Sequence, residues 1–249
     1  DVKKNLISPK NNTNLLGCKA DAITGNYLFS LDEFSGEDAN QILYKSGIDC
    51  SFSKKRISGA EVFSEILPKI NFSNDSITIK DGKILKGKID KTSFGQEDGE
   101  LIKEIDKVLG IEDTLDTIKN VFKVGTTYLT ERGITVSVED FNMPEKVIHE
   151  SEEIIKDAER KTKEIIKSYN DGELEIIPGK TKEESREIKV LQVLNNIRTK
   201  IGEIIQNEIR EDNPVNQMIT SGGGGKILNV TQMACCVGQQ ALGSRRIDI

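Results

Sequence analysis

The residues best suited by type and spacing to do chemistry lie near the end of the chain, in Ser221-Gly222-Gly223-Gly224-Gly225-Lys226. A glycine run closed by a lysine can wrap backbone amides around a phosphate. That motif needs a glycine five residues ahead of the Gly-Lys pair and Ser or Thr after it. Thr220 and Ile227 occupy those places, so a phosphate-cradling loop fails at both. A second group is the set of polar residues Asn195, Asn196, Arg198, Gln239 and Gln240, set among apolar neighbours where buried amides need hydrogen-bond partners. His149, the single histidine, lies in a charged stretch with no Ser or Cys nucleophile placed beside it and reads as a surface residue. Glu150, Glu152, Glu153, Asp157 and Glu159 are spaced as a solvated helix face, balanced by Arg160, Lys161 and Lys163 at i,i+3 or i,i+4. Cys18, Cys50, Cys235 and Cys236 show no Cys-x-x-Cys spacing, so they are expected to be reduced, buried and structural, in a cytoplasmic protein.

These groups need elements to hold them. Asn213 and Pro214 are suited to open a short helix as cap and first turn, Ser221–Gly225 stops it, and Asn229 with Gln232 is expected to cap the next one. Ahead of these, Pro144 to Tyr169 should be the longest helix, with Ile148, Ile155, Thr162 and Tyr169 recurring every seven residues. Pro178-Gly179-Lys180-Thr181 reverses the chain, Thr181 and Glu184 form a capping box, and the returning helix runs to about Arg210 over Leu191, Leu194, Ile197, Ile201, Ile204 and Ile205. The pair is an antiparallel helical hairpin.

The first half is mixed. Residues 1–35 read as loop and short strand, Ser35 caps a helix to about Lys45, and Ser58 opens another over Glu61–Leu67. Residues 76–90 form a β-hairpin in which Ile77, Ile79, Ile84 and Ile89 make an apolar face, lysines the other, and Asp81-Gly82 the two-residue turn. A helix from about Glu112 to Glu131 ends at Gly133, and Ile134–Val138 is expected to be a short strand. The fold class is therefore α+β, with a mixed first part and a mainly helical second part.

The chain has 249 residues, 36% hydrophobic and 31% charged, with a net charge of −6. It can bury a sizeable core, it has no apolar run long enough to span a membrane, and its charge argues against a free-standing nucleic-acid binder. With 5% aromatic residues and no tryptophan, it has little material for stacking on bases.

Fixed residues at fixed spacing carry a resemblance. Ser221-Gly222, Gly225, Asn229, Gln232-Met233, Val237-Gly238-Gln239-Gln240 and Arg245-Arg246-Ile247 are similar to a signature of the largest subunit of archaeal/eukaryotic-type DNA-directed RNA polymerases. Ile7-Ser8-Pro9, Gly17, Asp21, Gly25 and Leu28 match a further stretch of that family, with Ala20 where Gln is usual. Asp90-Lys91 after the hairpin also fits, as do Gly133, Thr135, Val138 and Asp140.

The resemblance implies a pore (secondary channel) domain over residues 1–109 and a funnel domain over 110–249. It implies that Ser221, Gly225 and Lys226 face the substrate channel. Family members place Lys or Arg at the position of Gly224, and Lys226, two residues on, is the candidate to stand in for it. Asn195, Asn196, Arg198, Gln239 and Gln240 are implied to lie beneath the bridge helix. The implied enzyme is a nucleotidyltransferase that makes RNA on DNA, with the piece in hand walling the secondary channel and docking a transcript-cleavage factor. Other polymerase subunits, and DNA and RNA in the complete enzyme, are the implied partners, and no membrane is. The family's catalytic aspartates, which hold magnesium in the complete enzyme, normally precede this region. No catalytic residue, metal site or cofactor is therefore expected within the fragment, which should be inactive alone. The alternative, a free-standing helical-hairpin interaction module, accounts for the long helices but not for Gln232-Met233 or Gly238-Gln239-Gln240.

Overall fold

The computed structural model describes residues 2–242 and 245–247. By packing, these fall into two compact units. The first comprises residues 1–135 and 216–225, the second residues 136–215 and 226–249. The expected pore and funnel division after Leu109 is a partition by role and differs from this partition by packing.

The first unit is built around α1 (Asp21–Leu31), nine of whose eleven residues are buried. This helix lies where the sequence suggested loop and strand. Burial on every side leaves no polar face, so the amphipathic period that reveals a helix is missing. Two glycines let it fit. A Cβ on Gly25 would fall 2.0 Å from the carbonyl oxygen of Gly125 in α6 (Ile111–Arg132), and one on Gly59 would fall 1.7 Å from the carbonyl oxygen of Phe29. Neither position admits a side chain at this helix spacing. At the centre, Phe29 stacks on Phe34 at 4.6 Å and meets Phe63 and Tyr128 edge-on at 5.1 and 5.2 Å. The Tyr128 hydroxyl donates to Asp32, which also accepts from Arg132 Nε at 3.2 Å, so the buried ring keeps a partner for its polar end.

Around α1 the order is β1 (Glu33–Phe34), α2 (Gly36–Lys45), β2 (Ile57–Ser58), α3 (Gly59–Ile66), β3 (Phe72–Ser73), β4 (Ile77–Lys80), β5 (Lys83–Gly87), α4 (Lys91–Phe94) and α5 (Glu100–Leu109). β1 pairs with β2, and β3-β4-β5 form a three-stranded antiparallel sheet. Ser35 caps α2 by accepting from Asp38 N, and Ser58 with Glu61 makes a capping box on α3. Asp81 and Gly82 both have positive φ, 50° and 76°, as a primed two-residue turn requires. Asp90 caps α4 by accepting from the backbone N–H groups of Thr92 and Ser93.

In the second unit, α7 (Glu145–Asn170) and α8 (Lys182–Glu208) pack as the expected antiparallel hairpin, burying Val147, Ala158, Val190, Ile197, Ile201 and Ile205. The returning α8 is the longer, 27 residues against 26. Thr181 and Glu184 form the anticipated capping box. Asp157 bonds Arg160 and Lys161, both at 2.6 Å, which gives the solvated, charge-balanced face expected of α7. Residues 134–137 are not a strand; they join no sheet and lead into a 3-10 turn at Val138–Phe141. An alternating pattern does not make a strand when nothing pairs with it.

Three shorter elements complete the chain: α9 (Pro214–Ser221), α10 (Ile227–Ala234) and the pair β6 (Ala241–Leu242) with β7 (Arg245–Arg246). Asn213 Oδ1 accepts from Val215 N at 2.9 Å, the cap expected for α9. Asn229 does not cap α10 as expected. It sits inside the helix, and its Oδ1 accepts from the backbone N–H of Lys226 at 2.9 Å, so Lys226 is the cap position and Asn229 reaches back to it.

Candidate functional site

The candidate residues fall in two places. In the first unit, Ser221 and the glycines after it close the C-terminal end of α9. Ser221 is buried; its hydroxyl donates to Met218 O at 3.0 Å and lies 3.4 Å from the Thr24 hydroxyl on α1. Gly222 and Gly225 have φ of 78° and 75°, in the left-handed region that lets a helix terminate. The amides of Gly223 and Gly224 donate to Met218 O and that of Gly222 to Ile219 O, all within 3.2 Å. These three N–H groups are spent on closing α9 and are not turned outward to cradle a phosphate. A Cβ on Gly223 would fall 2.0 Å from Thr24 Oγ1, so the second glycine is required by packing on α1. Gly225 is exposed.

In the second unit, Lys226 is exposed at the start of α10. Among the described residues, no three His, Cys, Asp or Glu side chains are gathered to hold an ion. His149 is exposed on α7.

Asn195, Arg198 and Gly238 come together. Arg198 Nη2 donates to Asn195 Oδ1 at 3.1 Å, one turn back along α8. The Arg198 stem lies where a Cβ on Gly238 would stand, 2.6 Å from Cδ, and Gly238 has φ of 74°, so glycine suits this position on both counts. Beyond Gly238 the paired amides fold onto their own backbone. Gln239 Nε2 donates to Gln240 O at 2.9 Å, and Gln240 Nε2 to Val237 O at 3.3 Å. Asn195 and Arg198 also edge an open cavity of about 580 Å³ between α8 and α10, floored by Gly202 and Thr231.

Asn196 does not join this group. One residue along a helix is a turn of about 100°. Asn196 therefore faces the α7 side, in a second groove of about 360 Å³ with Asp157, Lys161 and Lys200.

An ion-pair cluster escaped sequence reading. Glu187 on α8 accepts from Arg246 Nε at 2.8 Å and from Arg186, whose guanidinium lies 4.6 Å from the Tyr169 ring. The Arg246 guanidinium above all holds the Glu187 carboxyl below the ordinary carboxylate range, with Arg186 adding to it. Both partners are about four-fifths buried. Only the basic pair itself was visible in the sequence; nothing there pointed to a carboxylate 59 residues away.

The thiols are all free. Cys18 is buried, its pKa pushed up to about 12 by desolvation, whereas Cys50, Cys235 and Cys236 are half-buried rather than buried as expected.

Two family descriptions match this chain. RNA polymerase Rpb1, domain 3, covers residues 5–141, and RNA polymerase Rpb1, domain 4, covers residues 166–248. Similar curated proteins include the DNA-directed RNA polymerase subunit Rpo1N of Methanocaldococcus jannaschii, 34% identical over 99% of this chain and 20% of its own length. The Rpo1N of Halobacterium salinarum is 31% identical over 99% of the chain and 27% of its own length, and that of Sulfolobus acidocaldarius 32% over 99% and 31%. The chain thus spans about a fifth to a third of the length of these three relatives.

Proposed function

The chain belongs to the family of RNA polymerase largest subunits, and from that membership we propose that it forms a wall of the secondary channel in an archaeal-type DNA-directed RNA polymerase. The observation that carries the reading is the joining of Asn195, Arg198 and the Gly238 turn at the mouth of the α8–α10 cavity. The signature Val237-Gly238-Gln239-Gln240 thereby lies beside polar groups of α8. Exposed Leu228 and Met233 lie on α10 nearby in sequence, apolar surface that suits a covering helix of the same assembly.

In this reading the chain supplies no reacting group. Its glycine loop shapes the path by which ribonucleoside triphosphates enter, and Lys226 offers the nearby positive charge that attracts them. Magnesium, held elsewhere in the complete enzyme, supplies the chemistry of nucleotidyl transfer. The fragment alone does not extend RNA. The acidic face of α7, with Glu152 and Glu153 exposed, docks a transcript-cleavage factor.

The test is transcription by polymerase reconstituted with the variant largest subunit. Arg198→Ala is expected to slow elongation several-fold while assembly stays intact. Lys226→Ala should raise the apparent KM for nucleotides about two- to threefold, with kcat unchanged, as loss of steering charge predicts. Reversal of Glu152 and Glu153 to lysine should weaken factor-stimulated RNA cleavage and leave elongation alone. Elongation unaffected by Arg198→Ala would remove the site reading.

A further inference from the structure

The lysine face of the β4–β5 hairpin is used by nothing described so far. Ile77, Ile79 and Ile84 turn inward, and β5 packs on α3. The other face carries Thr78, Lys80, Lys83, Leu85 and Lys86. Lys80 and Lys83 are direct cross-strand partners, and like charges placed opposite one another destabilise a ladder. Neither they nor Lys86 makes an ion pair among the described residues. Other basic groups of this unit do pair, among them Lys45 with Glu131, Lys54 with Glu61 and Lys91 with Asp98.

A β-bulge shapes the face. The register passes from Ile79↔Ile84 to Thr78↔Lys86, leaving Leu85 as the extra residue. Strict alternation would turn Lys86 inward onto the isoleucines; the bulge leaves both Leu85 and Lys86 exposed, Leu85 by 63%. Gly87 completes it at φ 100°, where a Cβ would fall 2.0 Å from Ser76 O. The result is one aliphatic residue standing among three lysines.

We propose that this face docks an acidic protein segment, one that sets an apolar side chain on Leu85 and carboxylates on Lys80, Lys83 and Lys86. An apolar centre inside a charged rim is how protein interfaces are built. Single-stranded nucleic acid is the weaker fit, because its binders rely on aromatic platforms and this face has none. The partner does not add a strand along β5, since the Ile84 N–H is already taken by Ser64 Oγ at 3.0 Å.

The experiment is fluorescence anisotropy of the full chain, checked for native circular dichroism, with labelled peptides of Asp and Glu flanking a central Phe or Ala. A ten-residue oligouridylate is the comparison probe. The Phe-centred peptide should bind saturably and the Ala-centred one at least fivefold more weakly. Lys80→Glu with Lys83→Glu should lower affinity at least tenfold, while Lys55→Glu, an exposed reversal elsewhere, should not. Leu85→Ala should cost the Phe-centred peptide about fivefold and the Ala-centred one nothing. Equal binding of both peptides, binding indifferent to Leu85→Ala, or tighter binding of oligouridylate would each overturn the proposal. So would no saturable binding, which would leave the lysines only to keep the sheet from pairing with other sheets.

Discussion

Gly25→Ala tests the packing of α1 on α6 directly. In an open helix this change is stabilising by about 1 kcal/mol, because alanine is the better helix former. Here the new Cβ would stand 2.0 Å from Gly125 O, where ordinary contact begins at 3.4 Å, so the helices must part by about 1.4 Å. Gaps of about 0.5–1 Å already forfeit a quarter to a half of a dispersion contact. The interface that opens is lined by buried Ala22, Phe29, Val121, Val124 and Tyr128. Overpacking a tight core costs about 1–3 kcal/mol, and here both partners are backbone with no rotamer to yield, so the upper end applies. After the helix gain is subtracted, the net loss is about 2 kcal/mol, or about 4–8 °C in Tm for a chain of this size. Urea unfolding followed by circular dichroism measures it. Gly202→Ala on α8 is the control: its Cβ would meet only Thr231 Oγ1, at 3.3 Å, so stability should be unchanged or slightly higher. Gly125→Ala strikes the same gap, and the double variant should lose at least 1 kcal/mol less than the two single losses combined. Unchanged stability in Gly25→Ala, or strict additivity with Gly125→Ala, would refute the close approach.

Further outcomes follow from single groups. Glu61 is held down to about 2 by the Ser58 backbone N–H first, then by Lys54 and the Ser58 hydroxyl. A carboxylate with a depressed folded pKa stabilises above its unfolded value of about 4.3 and loses that contribution as pH falls toward 2. Glu61→Gln should therefore cost up to about 1 kcal/mol at pH 7, discounted for exposure, and the gap to the parent should close between pH 5 and 2 in urea titrations. The Cys18 thiol, raised to about 12, should resist iodoacetamide at pH 8 in the folded chain while Cys236 reacts, as peptide mapping would report. Gly87→Ala forces a side chain into Ser76 O, so amide exchange should accelerate across 77–87 and leave α7 and α8 unaltered.

Where a local rule decided the structure, the sequence was sufficient. Ser35, Ser58, Thr181 and Asn213 each cap the helix their type and position predict, and Asp81-Gly82 makes its turn. Asn229 missed by one turn, because α10 begins earlier with Lys226 as its cap, and long-range partners decided most of the rest. α1 was hidden because it is buried on nearly all sides, its polar Thr24, Asn26 and Ser30 included, so no amphipathic period marks it out from a buried strand. Residues 134–137 had a strand's pattern without a second strand. Within the site, Asn195 and Arg198 are joined by helical spacing that can be read in advance, whereas the same spacing parts Asn196 from them. The closeness of Arg198 to Gly238 needed coordinates, since forty residues separate them.

The return of residues 216–225 to the first unit has a consequence for biosynthesis. Residues 1–135 leave the ribosome well before Ser221 exists to meet Thr24, or Gly223 to pack on α1. At about 5–20 residues per second, the wait is on the order of 5–20 s. Throughout it, one side of the most buried helix in the unit stays uncovered, and the intervening α7–α8 hairpin can form from neighbouring sequence alone. Translation speed across residues 136–215 thus sets how long the earliest-made half remains unfinished.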